Sequence, residues 1–211
     1  MIISKIKQIA KTNRYHLYAD EVWQGVFLDE ILAVYKLKTN QEIDEEVFAE
    51  IKKENDKKLS FDMAVSYLEK YTVSEKGLRD YLKKRGFLPK AIDSTIEKLK
   101  EYNFLNDEKF AKNYFDSFSS RMGKKAIASK LLQKGVSKDI VDSLLEEVDE
   151  DSQFENALLL AKKFVKNRDF SLKTKQKCLA HLIYKGYDYS VAQQAINQIF
   201  SNKGEDNESW V

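Results

Sequence analysis

The pattern of apolar and polar positions changes near residue 40. Before it, Tyr15-His16-Leu17-Tyr18-Ala19 and Val22-Trp23-Gln24-Gly25-Val26-Phe27 are short aromatic and β-branched runs on either side of Asp20-Glu21. Residues of this kind suit a pleated, half-buried surface, so the runs predict a β-hairpin with a two-residue turn, and Ile2 to Ile9 predicts a third strand. Leu28 to Tyr35 predicts a short helix. Another begins after Asp44, whose carboxylate is placed to cap it over Glu45 to about Asn55, with Glu45 and Glu46 at its positive end. Glu54-Asn55-Asp56-Lys57-Lys58 reads as a polar hinge and as the first boundary.

Beyond the hinge the apolar pattern repeats about every 50 residues. Gly86, Gly135 and Gly186 each follow a cation (Arg85, Lys134, Lys185) and precede an apolar residue (Phe87, Val136, Tyr187). Four positions before each glycine stands Leu82, Leu131 or Leu182, and ten positions after it Ile96, Leu145 or Ile196. Upstream, at less regular distances, lie Ala64-Val65-Ser66-Tyr67, Ala111-Lys112-Asn113-Tyr114 and Ala157-Leu158-Leu159-Leu160. The physics of this register is a helix ending: a left-handed glycine at C′, a leucine at C3 touching the apolar residue at C″, and a cation against the negative end of the dipole. The next helix then starts two residues later, with Ser137 and Asp188 as N-caps and Pro89 at N1. Each unit is helix, helix, glycine turn, helix.

Composition supports a mostly α fold: one proline and seven glycines in 211 residues cannot punctuate a many-stranded sandwich or barrel. The expected organisation is a β-hairpin module with short helices over 1–58, three-helix repeats over 59–106, 107–152 and 153–202, and a flexible tail over 203–211. Thirty-six basic and 34 acidic side chains leave a net charge of +2, which excludes a histone-like polycation but not local basic surfaces. Residues 153–202 are the basic end, with 8 cations against 3 acids. A single cysteine, Cys178, permits neither an intrachain disulfide nor a cysteine-built zinc site. No apolar stretch has the length of a membrane span and the opening residues form no signal peptide, so a soluble cytoplasmic protein is expected.

Several segments together resemble one known family. Ala64-Val65-Ser66-Tyr67-Leu68 followed by Ser74 to Gly86 resembles the first repeat of the RecX regulatory family. Leu105-Asn106-Asp107-Glu108-Lys109-Phe110-Ala111 is similar to its repeat junction, and Lys130 to Val136 to its Leu-x-x-Lys-Gly-Ile segment. The amino-terminal hairpin resembles the extension of members from low-GC Gram-positive bacteria. Two positions depart from the pattern: Val73 stands where the family usually has arginine, and Gly123-Lys124 where it usually has Gly-Pro, so this helix start needs another cap. The resemblance implies a non-enzymatic, cofactor-free helical-repeat protein that binds the RecA recombinase filament and limits its action in recombination and repair. It further implies direct contact with DNA, single- or double-stranded, in some members; no membrane contact and a monomer are expected.

Candidate contact residues are the cations of the three middle helices: Lys76, Arg79, Lys83, Lys84 and Arg85; Arg121, Lys124, Lys125, Lys130 and Lys134; Lys173, Lys175, Lys177 and Lys185. Lys76, Arg79 and Lys83 share one helical face, and Lys130 and Lys134 are an i, i+4 pair. An ordinary solvated helix surface is the competing reading for any one helix; recurrence in all three argues for a groove following an anionic filament. The aromatics at i, i+4, such as Tyr67-Tyr71 and Phe110-Tyr114-Phe118, read as core stripes. No catalytic or metal constellation is visible: His16 and His181 lie far apart, Cys178 reads as a buried thiol, and Gly123-Lys124 lacks the rest of a phosphate loop. Two rivals remain, a helix-turn-helix transcriptional regulator and a protein-only helical adaptor. The first demands a base-reading recognition helix, yet the helices after the glycines open with Pro89-Lys90, Lys138-Asp139 and Tyr189-Ser190.

Overall fold

A computed structural model of the chain describes residues 1–205. It contains two compact units, Met1–Leu105 and one that begins at Asn106. In the first, β1 (Ile3–Gln8), β2 (Arg14–Ala19) and β3 (Val22–Leu28) form an antiparallel sheet in that order. The Asp20-Glu21 turn has φ of +47° and +62°, the left-handed pair that matches the twist of a two-residue hairpin. Local bonds offset the strain of two non-glycine residues there. The Ile2 N–H donates to Asp20 Oδ1 at 2.7 Å, and the Glu21 N–H donates to Ser4 Oγ at 3.1 Å.

After α1 (Asp29–Val34), the expected cap is present: Asp44 accepts from the N–H groups of Glu46 and Val47 at 2.8 and 3.2 Å. The expected hinge is not. Helix α2 runs unbroken from Glu45 to Leu68, straight through Glu54–Lys58. The reason is Asn55, which is fully buried between Ile51 and Leu59. Its side chain accepts from the Leu28 N–H at 3.0 Å and donates to the Val26 carbonyl at 2.8 Å. The polar run is thus solvated on one side only, and its one buried member ties the outer edge of β3 to the helix. With α3 (Glu75–Lys84) and α4 (Pro89–Glu101), α2 closes a single core that joins Leu17, Phe27 and Ile31 to Leu78, Leu82 and Leu99. The hairpin module and the first repeat are therefore not separated at residue 58.

The second unit holds α5 (Asp107–Phe118), α6 (Lys124–Gln133), α7 (Lys138–Glu146), α8 (Glu150–Val165), α9 (Leu172–Tyr184) and α10 (Tyr189–Glu205). One core gathers Phe110, Ile127, Leu131 and Val141; a second gathers Ala157, Ala161, Cys178, Leu182 and Ile196. Part of the tail expected over 203–211 belongs to α10, and 206–211 lie outside the described residues.

All three glycine turns close as the register predicts. Gly86, Gly135 and Gly186 have φ of +88°, +83° and +90°. The N–H of Phe87, Val136 and Tyr187 reaches back to the carbonyl of Leu82, Leu131 and Leu182 at 3.3, 3.1 and 3.2 Å, while each glycine N–H bonds the carbonyl three residues before it. The six apolar partners are all buried. Pro89 opens α4, and Ser137 caps α7 by accepting from the Ile140 N–H.

The start of α6 shows what replaces proline. The N–H groups of Gly123 and Lys125 donate to the carbonyls of Lys185 and Gly186 at 2.9 and 3.2 Å. Between them the Lys124 N–H, a donor proline lacks, meets Oε1 of the buried Gln153 at 3.0 Å. The negative end of α9 thus sits head to tail on the positive end of α6. A Cβ on Gly123 would strike the Gly186 carbonyl, and one on Gly186 would strike Ala126. Beside this contact Asp188 pairs with Lys125 at 2.5 Å and Lys124 at 3.5 Å.

Three outcomes test this account. Gly135→Ala is expected to cost more than about 1 kcal/mol, because alanine resists the left-handed C′ conformation; an unchanged denaturation midpoint refutes the turn's role. Tyr187 is buried, its hydroxyl has no partner among the described residues, and burial pushes its pKa up to about 12. Tyr187→Phe is therefore expected to raise stability by about 1 kcal/mol, and a lower melting temperature would show that the hydroxyl is satisfied. Asp188 is held below the usual carboxylate range, first by its hydrogen bond from Lys125, against opposing burial, and then by the charges of Lys125 and Lys124. Its contribution is complete above its unfolded pKa near 4 and fades as pH falls through the lower folded value. An acid melt of Asp188→Asn should start from lower stability at pH 7 and converge with wild type as pH falls through the lowered folded value.

Candidate functional site

The structure sorts the fourteen candidate cations by what already neutralises them. On α3, Lys76 pairs with Asp80 at 3.3 Å, and Arg79 is bound on both sides, to Glu75 at 2.7 Å and Asp93 at 2.6 Å. Lys100 also reaches Glu75. Partial burial pushes the Glu75 carboxyl up, but hydrogen bonds and charges from Lys100 and Arg79 outweigh it and hold the group below its ordinary range. The face expected from Lys76, Arg79 and Lys83 is thus spent at two of its three members. What α3 presents to solvent is its last turn: Lys83, Lys84 and Arg85 are exposed, and no ion pair engages them among the described residues.

In the second unit the same sorting holds. Lys124 and Lys125 belong to the Asp188 contact, with Glu150 a further 3.9 Å partner of Lys124. Arg121 and Lys130 are exposed; Lys134, also exposed, stands 5.4 Å from the Tyr114 ring centre. On α9, Lys173 and Lys177 are exposed, Lys175 leans over Phe200 at 5.9 Å, and Lys185 is half-buried beside the docked start of α6. Neither α6 nor α9 contains a single acidic residue, so their exposed cations are not cancelled along the helix.

Beneath these cations lies a recurring aromatic position that the sequence pattern showed only in part. Buried Ala64 and Ala111 are followed three residues later by Tyr67 and Tyr114, as aligned. In the third repeat the equivalent is not Ala157-Leu160 but Ala161 with Phe164, which restores an alanine-to-glycine spacing of 25 beside 22 and 24. Each ring meets the middle helix. Tyr67 stacks on Tyr81 at 3.9 Å, with Arg85 over Tyr81 at 5.2 Å. Tyr114 meets Lys134, and Phe164 packs on His181 at 5.0 Å with Arg168 over it at 3.7 Å. Burial, then Lys185 and Arg168, push the His181 pKa down and favour the neutral ring. Tyr114 thus stands directly against a candidate cation, Tyr67 reaches Arg85 through the Tyr81 ring, and Phe164 packs on the middle helix at His181 with Arg168 on it.

Cys178 is fully buried, and burial pushes its thiol up to about 11, the opposite of an activated nucleophile. Asp149 in the acidic run caps α8 by accepting from the Ser152 N–H. No helix among the described residues is long and apolar enough to cross a membrane. The arrangement offers contact with an anionic partner.

Known proteins resemble this chain in sequence and fold. Residues 106–145 match the second three-helix domain of RecX and residues 150–196 the third. The regulatory protein RecX of Listeria innocua serovar 6a is 33% identical over 186 residues, covering 86% of this chain and 69% of that one. That of Clostridium perfringens strain 13 is 33% identical over 200 residues, 93% of this chain and 94% of its own. A crystal structure of regulatory protein RecX aligns with a TM-score of 0.67 at 24% identity, over 92% of this chain and 98% of the other. RecX from Lactobacillus salivarius aligns at 0.63 and 24%, over 68% and 96%. At that identity the structures speak for the fold. The fold, the two domains in order and the sequence identity along most of its length agree: this chain belongs to the RecX family, non-enzymatic regulators of the RecA recombinase.

Proposed function

We propose that this protein binds the RecA nucleoprotein filament in its groove and restrains it, using the exposed cations of its middle helices. The observation that carries this reading is the distribution of unspent charge. It collects on the last turn of α3, on Lys130 of α6 and on the acid-free helix α9, while Lys76, Arg79, Lys124 and Lys125 are tied up in internal contacts. Three-helix repeats at 59–106, 107–152 and 153–202 would each present one such helix. A helix-turn-helix reading needs one base-reading helix, and the three helices that follow the glycine turns share no such residues. A protein-only adaptor makes no demand for phosphate contact, and salt dependence separates it from the proposal.

The test is charge reversal at exposed, unpaired positions: Lys83→Glu with Lys84→Glu on α3, and separately Lys173→Glu with Lys177→Glu on α9. Binding to RecA assembled on single-stranded DNA is measured across a salt series, with circular dichroism as the folding control. Each pair is expected to weaken binding and relieve inhibition of RecA strand exchange. If both cations of a pair touch phosphate, the log–log salt slope flattens by roughly 1.4. Contacts to acidic protein surface alone weaken with screening and lack that slope. Unchanged affinity in both folded variants overturns the reading.

A further inference from the structure

The outward face of the amino-terminal sheet carries chemistry that the middle helices do not use. Strand pairing sets which side chains share it. Lys5 lies opposite Tyr18 and Tyr18 opposite Trp23; one step along, Lys7 lies opposite His16 and His16 opposite Val26. The alternate positions Ile3, Leu17, Ala19 and Phe27 are buried in the core. Register irregularities between Ile3 and Lys5 and between Leu17 and Tyr18 keep these rows in step across the sheet. The result is a lysine edge on β1 and aromatic rings on β2 and β3.

The rings are oriented but not covered. The Trp23 Nε1–H donates to His16 Nδ1 at 3.2 Å, yet the residue remains 55% exposed. Lys5 Nζ stands 5.9 Å from the centre of the Tyr18 ring. Lys5 and Lys7 are exposed, and among the described residues neither is in an ion pair. No carboxylate stands in either row. The acids of the hairpin, Asp20 and Glu21, sit in the turn, where Asp20 accepts from the Ile2 N–H.

We propose that this face binds single-stranded nucleic acid, with Trp23 and Tyr18 stacking on bases and Lys5 and Lys7 holding phosphates. Neighbouring strands lie about 5 Å apart, so the lysines stand roughly 5 Å from the Tyr18 row and 10 Å from the Trp23 row, a phosphate track beside a stacking surface. A duplex keeps its bases inside the stack and has no free ring for Trp23. An acidic peptide would satisfy the lysines and leave the aromatic half of the face idle. The proposal does not rest on the filament reading, since it uses none of the middle-helix cations.

Trp23 itself reports on the outcome. The chain has two tryptophans, and Trp210→Phe leaves Trp23 as the sole indole. That variant is titrated with oligo(dT) of about 15 nucleotides, within the site sizes of single-strand binders, and in parallel with poly-glutamate. Stacking is expected to quench Trp23 fluorescence saturably with oligo(dT) and not with poly-glutamate. Adding Lys5→Glu and Lys7→Glu should weaken binding and flatten the log–log salt slope by about 1.4; Lys5→Gln with Lys7→Gln serves as the milder pair. Trp23→Ala, followed by anisotropy of a labelled oligo(dT), should bind at least about fivefold more weakly. The titration uses free oligo(dT) with no RecA present and reads Trp23 alone, so failure here and failure of the filament reading are told apart. Absence of quenching, quenching insensitive to both lysine pairs, or equal quenching by poly-glutamate overturns the proposal.

Discussion

Helix ends leave backbone groups without partners, and the way this chain satisfies them organises the rest of the molecule. At Gly86, Gly135 and Gly186 the orphan carbonyls are closed by a left-handed turn whose leucine and following apolar residue are both buried. Each turn therefore joins a local hydrogen-bond requirement to core packing. At Gly186 the requirement extends further, because the carbonyls of Lys185 and Gly186 also serve the first donors of α6. Two glycines facing each other make that approach possible, and Gln153 supplies the acceptor that a lysine in place of proline demands.

This economy of helix ends also shapes the surface. A cation just before the glycine suits the negative helix terminus, which is why Arg85, Lys134 and Lys185 recur there. The aromatic residue of the preceding helix rises beneath the same region, as Tyr67, Tyr114 or Phe164. The charge that remains for a partner is the remainder after internal needs are met. Arg79, Lys124 and Lys125 are consumed by Glu75, Asp93 and Asp188, while Lys83, Lys84, Lys173 and Lys177 are left in solvent.

What the sequence revealed follows the range of the interactions involved. The glycine turns, the Asp44 and Ser137 caps, Pro89 at the start of α4 and the three-stranded sheet were legible because each depends on neighbours within a few residues. Asn55 reads as part of a hinge because its partners, Val26 and Leu28, lie 29 and 27 residues away, and nothing local distinguishes a buried asparagine from a solvated one. Half of the Arg79 network was open to inspection, since Glu75 is four residues earlier on the same helix; Asp93 on α4 was not. The position of Asp188 marks it as a cap, while its ion pairs reach back to α6. The third repeat was aligned one turn too early because Ala157 and Ala161 are both buried, and only the contact of Phe164 with His181 separates them.

The head-to-tail joint between α9 and α6 has a temporal consequence. During synthesis the opening N–H groups of α6 emerge about 60 residues before Lys185 and Gly186, the carbonyls that receive them. At ribosomal speeds of 5–20 residues per second that interval lasts about 3 to 12 s. Throughout it, the N–H groups of Gly123 and Lys125 lack the carbonyl partners they have in the folded protein. The start of α6 is complete only once Lys185 and Gly186 have been made.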